Sequence, residues 1–300
     1  MTPALIGIDW GTTHRRAYLL DARGHLLAEA SDAQGMLACQ GRFRPALDSL
    51  LQEWPEAGAD VPVLMSGMVG AATGWQEARY LDAGTPLVQL AQQLVAVRDA
   101  PPGRRWAIVP GYCIRDAGGR VDVMRGEETQ LLGALTLGHG DGWYVLPGTH
   151  SKWVRVDGGR VSALRTYMTG ELFALLTQHG TLASVAGGAA PDALEAFAQG
   201  LTAAGGAALS HALFTCRARV VSGDMPALHA RSYLSGLLIG AEWCDALRAP
   251  EPLRHVSLIG SAQLANSYAV AAKHHGCDVT VLDPREIYLA ALNALGNPSR

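Results

Sequence analysis

Apolar and polar positions along this 300-residue chain switch repeatedly between a period of two and a helical period. Residues 4–9 alternate into a short buried strand. Arg16–Leu20 and His25–Ala28 read as the next two strands, joined by the turn Asp21-Ala22-Arg23-Gly24. Phe43–Trp54 carries apolar residues at helical spacing, with Pro55 and Gly58 stopping it. A strand at Val61–Met65 runs into the small-residue loop Ser66-Gly67-Met68-Val69-Gly70. The spacing predicts helices over Leu87–Val97 and Glu127–Leu137, with a strand at Arg105–Pro110 between them. Gly138-His139-Gly140-Asp141-Gly142 interrupts the pattern, and a second strand–turn–strand set begins. Helices are expected at Glu171–Gln178, Asp192–Leu201, Ala207–Ala218 and Pro226–Leu247. A strand at His255–Ile259, a helix at Ala262–His275, a strand at Asp278–Leu282 and a helix at Arg285–Leu295 complete the series.

One hairpin occurs twice. Thr13-His14 is followed by a strand ending in Leu20-Asp21, and Thr149-His150 by one ending in Val156-Asp157, with equal spacing in both copies. A strand reads into glycine ahead of each: Ile6-Gly7-Ile8-Asp9-Trp10-Gly11 and Trp143-Tyr144-Val145-Leu146-Pro147-Gly148. Duplicated three-strand openings followed by alternating helices and strands describe an α/β chain. The expected architecture is the two-lobed actin-like, ribonuclease-H-like ATPase fold, with duplicated mixed-sheet lobes and a central cleft. The lobe boundary is placed after residue 138, giving lobes 1–138 and 139–300.

Composition narrows the class. Apolar residues make up 49% and charged residues 17%, as in ordinary compact proteins. The formal charge of −3 gives no general pull toward nucleic acid or anionic lipid. Five scattered cysteines, without a CxxC pair, suit reduced thiols rather than a disulfide or metal framework. No apolar stretch approaches the ~20 residues of a membrane span. A cytoplasmic protein with no nucleic-acid or membrane partner is expected, a homodimer being left open.

A tight Gly-Thr turn points several N–H groups and hydroxyls at one place and so makes an anion cradle. Gly11, Thr12 and Thr13 form the first. Gly148, Thr149, His150, Ser151 and Lys152 form the second, with Pro147 fixing the approach. Two such turns suggest that ATP is gripped by its polyphosphate. Asp9, beside the first turn, is the candidate Mg²⁺ ligand. Arg16 would return along the hairpin toward the transferred phosphoryl group, and Arg15 should face the other way. Within Asp122-Val123-Met124-Arg125-Gly126-Glu127-Glu128-Thr129-Gln130 a carboxylate at a helix start can accept the proton of an attacked hydroxyl. Glu127 is the first choice, with Glu128 and Asp122 in reserve. Gly260-Ser261, between a strand and a helix, would let a flat adenine approach. Ser66, Gly67, Met68, Trp75, Arg79 and Arg125 suit a polyhydroxylated acid, with an aromatic face for the sugar and an arginine fork for the carboxylate. Core packing is the competing reading of Trp75, and a surface salt bridge that of Arg79. Neither GxxxxGK[ST] nor a strand-linked GxGxxG occurs, which disfavours P-loop and Rossmann readings.

The whole chain resembles the 2-dehydro-3-deoxygalactonokinases. The resemblance rests on Ile8-Asp9-Trp10-Gly11-Thr12-Thr13, on the loop 66–70, on the run 122–130, on Leu146-Pro147-Gly148-Thr149-His150-Ser151-Lys152-Trp153, and on Met168-Thr169-Gly170-Glu171-Leu172-Phe173. It implies an ATP- and Mg²⁺-dependent kinase moving the γ-phosphoryl group onto the 6-hydroxyl of 2-dehydro-3-deoxy-D-galactonate. The first hairpin is similar to that of glycerol-kinase-type enzymes too, which puts the metal carboxylate at Asp9 and a phosphoryl-contacting arginine at Arg16. Those enzymes take an aspartate as base at a helix start, where Glu127 or Glu128 stands here. Leu146 and Pro147 replace the aspartate that many actin-like ATPases carry in the second loop, so metal anchoring is expected from the first lobe.

Overall fold

The computed structural model describes residues 2–116, 118–248 and 252–296, and these fall into two compact units. The first takes the residues up to Asp141, Val154–Leu164 and those from Asp283 on; the second takes Gly142–Trp153 and Arg165–Leu282.

In the first unit, strands β1 (Pro3–Trp10), β2 (Arg15–Asp21) and β3 (Leu26–Asp32) form an antiparallel meander. Helices α1 (Met36–Cys39) and α2 (Phe43–Gln52) lead to β4 (Val63–Gly67), which pairs parallel with β1. Short strands β5 (Leu81–Asp82), β6 (Val95–Ala96) and β7 (Trp106–Ile108) follow, and the main sheet runs β3-β2-β1-β4-β7-β6. Strands β8 (Tyr112–Arg115) and β9 (Val121–Met124) join β5 in a smaller sheet before helix α3 (Glu127–Thr136). Helix α2 buries Phe43, Leu47 and Leu50, one stripe at helical spacing. They pack on Ile6, Ile8 and Trp10 of β1 and on Val63 and Met65 of β4. β4 is buried along its whole length, as a strand with parallel neighbours should be.

The second sheet repeats this plan. Strands β10 (Gly142–Leu146), β11 (Ser151–Asp157) and β12 (Arg160–Tyr167) open it. Helices α4 (Thr169–Gln178), α5 (Gly180–Ala186), α6 (Leu194–Ala204), α7 (Leu209–Val221) and α8 (Ala230–Ala246) come next. Strand β13 (His255–Ile259) lies parallel to β10, helix α9 (Ala262–His274) follows, and β14 (Asp278–Leu282) lies parallel to β13. The order β12-β11-β10-β13-β14 matches β3-β2-β1-β4 strand for strand at its start. The duplicated mixed α/β sheets expected from the paired hairpins are therefore present.

Two expectations give way. Residues Leu87–Gln92 form a 3₁₀ turn and Val95–Ala96 a strand, where one α-helix was predicted. Leu87 and Leu90 are the buried pair, and a spacing of three serves a 3₁₀ turn as well as an α-helix. Helix α10 (Pro284–Gly296) groups with the first unit rather than with residues 139–282. Its buried face explains this: Leu292 fills the space a side chain at Gly7 of β1 would need, and Tyr288 is hydrogen-bonded to Ser66 of β4. No helix among the described residues is long and apolar enough to cross a membrane.

Candidate functional site

The first Gly-Thr turn is closed by the Gly11 N–H donating to His14 O (2.9 Å). The carbonyls of Gly11 and Thr12 accept the N–H groups of Met36 and Leu37, so α1 backs the turn. Thr13 and His14 are exposed, and Thr13 Oγ1 is hydrogen-bonded to His14 Nδ1 (3.0 Å). Asp9 faces Arg16 of β2 on one side and Ser66 of β4 on the other. The alternation of β2 sends its two arginines opposite ways. Arg15 is buried over the Trp10 ring and held by Asp32 (2.5 Å) and the Ala46 carbonyl (2.7 Å). Arg16 is 56% exposed, with Nη1 3.7 Å from Asp9 Oδ2. Burial raises the Asp9 pKa and the Arg16 charge partly reverses this. Among the described residues no three His, Cys, Asp or Glu side chains gather into a metal-binding group. Asp9 alone is a hard oxygen donor, which fits a Mg²⁺ completing its shell with phosphate oxygens and water.

The loop after β4 brings the start of α3 to this place. Gly67 has φ +88°, and a Cβ there would lie 2.7 Å from Trp10 O and 3.6 Å from Asp9 Oδ1. Gly126 has φ +110°, and its Cβ position is 3.3 Å from the Gly67 Cα. Both are backbone states that cost an L side chain strain. They let the N-terminus of α3 approach the end of β4 beside Asp9. The two glutamates that open α3 then diverge. Glu127 is half-buried, with Oε2 accepting the Arg125 N–H (2.9 Å). Glu128 is fully buried and accepts the Gly126 N–H with both oxygens (2.7 and 2.9 Å). Burial, reinforced by the Glu127 charge, pushes its pKa up to about 8. Asp122 lies on β9 and accepts the Val123 N–H.

The predicted sugar-acid residues separate. Trp75 belongs to the core: it stacks on Phe43 (ring centroids 6.4 Å apart), meets Trp10 and Trp106 edge-on, and donates Nε1–H to Asp99. Trp75 is partly buried, and these contacts favour the competing reading of core packing. Ser66 is also withdrawn, buried with its hydroxyl on Tyr288 (2.8 Å). Met68 is half-buried and Arg79 exposed. Arg125 lies over the Tyr80 ring (4.3 Å) and donates Nη2–H to the Ala78 carbonyl, while its buried Nε and Nη1 find no acceptor among the described residues.

In the second turn Thr149 and His150 are exposed, and His150 Nε2 meets Glu171 Oε2 at 2.6 Å. The two residues after it turn inward. Ser151 is buried with its hydroxyl on Glu242 (2.9 Å), and Lys152 sends Nζ to Thr166 Oγ1 on β12 (2.9 Å). Strand β11 has already begun at Ser151, so its backbone no longer presents these side chains at the bend. Of the five residues expected in the second cradle, Gly148, Thr149 and His150 remain at the bend. Its support comes from α4, which the sequence pattern did not single out for this role. A Cβ at Gly170 would lie 2.3 Å from Gly148 O, and the Glu171 N–H donates to Thr149 O (2.9 Å).

A cavity of about 570 Å³ opens beside this turn, built entirely from second-unit residues. Gly148, Thr169 and Gly170 form one end, and Gln263 and Asn266 of α9 line it farther on. Its size falls within the roughly 300–1,000 Å³ of small-molecule sites. Gly260 lies beside it, against Pro147: a Cβ there would be 3.2 Å from Pro147 Cδ. Ser261 is exposed at the start of α9.

A duplicated mixed sheet, a Gly-Thr turn in each copy, and a carboxylate beside the first define an actin-like, nucleotide-dependent phosphotransferase. A fold neighbour shares the architecture: the ADPNP-bound activator of 2-hydroxyisocaproyl-CoA dehydratase from Clostridium difficile, with TM-score 0.50 at 10% identity, covering 98% of this chain and 95% of its own. The family model described as 2-keto-3-deoxy-galactonokinase matches residues 9–295, and the chain belongs to that family. The 2-dehydro-3-deoxygalactonokinase of Escherichia coli (strain K12) is 35% identical, with 99% of both chains covered. A Rhizobium meliloti (strain 1021) protein assigned the same name is 38% identical over 96% of this chain and 94% of its own. The crystal structure of a Sinorhizobium meliloti protein assigned that activity superposes with TM-score 0.88 at 36% identity, covering 98% of this chain and 96% of its own. The family consists of ATP-dependent carbohydrate kinases.

Proposed function

We propose that this chain transfers the γ-phosphoryl group of ATP to the 6-hydroxyl of 2-dehydro-3-deoxy-D-galactonate, giving the 6-phosphate and ADP in galactonate breakdown. The family match that begins at Asp9 and runs to residue 295 carries this reading. Each side chain then has a task. Asp9 would hold Mg²⁺, which when bound would supply charge neutralisation at the phosphates. Arg16, largely exposed beside Asp9, meets the transferred group. Thr12 and Thr13 offer N–H and hydroxyl donors suited to phosphate oxygens, and Gly148 and Thr149 form a second turn of the same kind. The cavity past Gly148 takes the adenosine.

Glu127 accepts the proton of the attacked hydroxyl. Its half-exposed position supports this, whereas Glu128 is sealed off and keeps its own proton to about pH 8. Arg79, exposed, is the cation offered to the substrate carboxylate, with Arg125, whose unpartnered Nε and Nη1 are buried, in reserve. An ADP-release assay with ATP, Mg²⁺ and a panel of 2-keto-3-deoxy sugar acids tests the assignment. Release should depend on the acid and be fastest with the galactonate-derived one. Preference for another acid would move the substrate, and release without any acid would remove the kinase reading. In the same assay Glu127→Gln should cut turnover by ~100-fold while ATP still binds; full activity would take Glu127 out of the mechanism.

A further inference from the structure

Beneath the second turn lies a carboxylate that the transfer step does not use. Glu242, in the otherwise apolar middle of α8, is fully buried. Its partners there are neutral. Ser151 Oγ (2.9 Å) and Trp153 Nε1 (2.8 Å) donate to Oε2, the Tyr268 hydroxyl donates to Oε1 (2.6 Å), and the Thr169 side chain adds another hydrogen bond. Tyr268 Oη also lies 3.1 Å from Ser151 Oγ, close enough for its hydroxyl to turn from Glu242 to Ser151. A buried carboxylate is expensive to keep in place of a packed apolar side chain. Its partners indicate what it achieves. Ser151 directly follows the turn, and Thr169 precedes Gly170, which is seated on Gly148 and Thr149. Tyr268 belongs to α9, and Thr169 and Tyr268 both line the cavity.

We propose that Glu242 is a positioning residue for nucleotide binding, fixing the Gly148-Thr149 turn, the start of α4 and helix α9 in one arrangement around the second unit's cavity. This rests on the reading that the turn and cavity take ATP. The chemistry makes the proposal specific. Trp153 Nε1–H can only donate, so it needs an acceptor, while the three hydroxyls can reverse direction. Glutamine keeps one acceptor oxygen for Trp153 and Ser151, and its amide can donate to a reversed Tyr268. Leucine leaves Trp153 Nε1–H without its acceptor, and only the Tyr268–Ser151 contact survives.

The test measures the ATP dissociation constant by calorimetry, together with kcat and both KM values. Glu242→Leu should weaken ATP binding about tenfold or more, whereas Glu242→Gln stays within about threefold of the native protein. kcat at saturating ATP and KM for the sugar acid should stay within about twofold in both. Ser151→Ala and Tyr268→Phe should each weaken ATP, and each by less in the Glu242→Gln background, because coupled partners do not add. These two variants decide the matter if Glu242→Leu does not fold. A loss of kcat with ATP affinity intact, a parallel loss for both substrates, or full additivity would overturn the proposal. Thr149→Val is the control: if it leaves ATP affinity untouched, the assignment of the turn fails; if it weakens ATP while the Glu242, Ser151 and Tyr268 variants do not, only the role of Glu242 fails.

Discussion

The two Gly-Thr turns occupy equivalent places in two sheets of one plan, yet their surroundings differ in charge. The turn at Gly11 has a carboxylate before it and an exposed arginine on the next strand, 3.7 Å apart at their nearest atoms. The turn at Gly148 follows Leu146 and Pro147; its His150 meets the Glu171 carboxylate, and Glu242 is buried behind Ser151 and engaged by neutral donors. Under the proposed function, the first copy of the hairpin carries the groups for the transfer chemistry, and the second, with its cavity, those that hold the nucleotide. A duplicated scaffold can divide chemistry and binding in this way because the backbone donors of the turn survive changes in the side chains around them.

Asp9→Asn breaks the comparison hardest. It should cut kcat by about a thousandfold with a much smaller change in KM for ATP, since charge stabilisation in the transition state is lost. Steady-state kinetics at saturating Mg²⁺ checks this, and a variant defective only in KM would put the chemistry elsewhere. Thr149→Val should do the reverse: KM for ATP rises about fivefold and kcat holds within about twofold, the size of one neutral hydrogen bond. A fall in kcat alone would erase the contrast between the turns.

Glu128→Gln gives the smallest effect and separates this buried carboxylate from Glu127, the proposed base. Glu128 keeps its proton in the folded chain up to about pH 8 but loses it near its ordinary value of 4.5 when unfolded. Between those limits the folded state binds more protons, so this group makes stability fall as pH rises. Thermal melts from pH 5 to 8 should therefore decline less steeply for Glu128→Gln than for the native chain. Identical slopes would show that Glu128 does not titrate as its burial implies.

The sheets were legible because β-strands announce themselves by alternation, and the repeated Thr-His…Asp spacing tied the two copies together. Strands β13 and β14 fall on their predicted bounds. The destination of α10 was not legible: its apolar stripe says that it packs, and nothing local says against what. The same limit governs the site. Asp9 and Arg16 lie side by side because strand pairing is regular, and Arg15 turns away for the same reason. Ser151, Lys152, Ser66 and Trp75 read as ligand contacts from their residue types, but each is consumed by a partner remote in sequence: Glu242, Thr166, Tyr288 and Phe43. Glu242 itself left a trace, a lone acid within Leu237-Leu238-Ile239-Gly240-Ala241-Glu242-Trp243. An ionisable residue on a helical stripe otherwise buried is a sign that something polar lies opposite.

Helix α10 carries a consequence for how the molecule is made. Its Leu292 fills the gap over Gly7 in β1, and its Tyr288 satisfies Ser66 in β4. While a ribosome is still adding residue 282, the unit that emerged first lacks the piece that seals its sheet. Its hydrophobic underside stays open to solvent and to chaperones for most of synthesis. The half of the enzyme translated earliest is in this sense finished last.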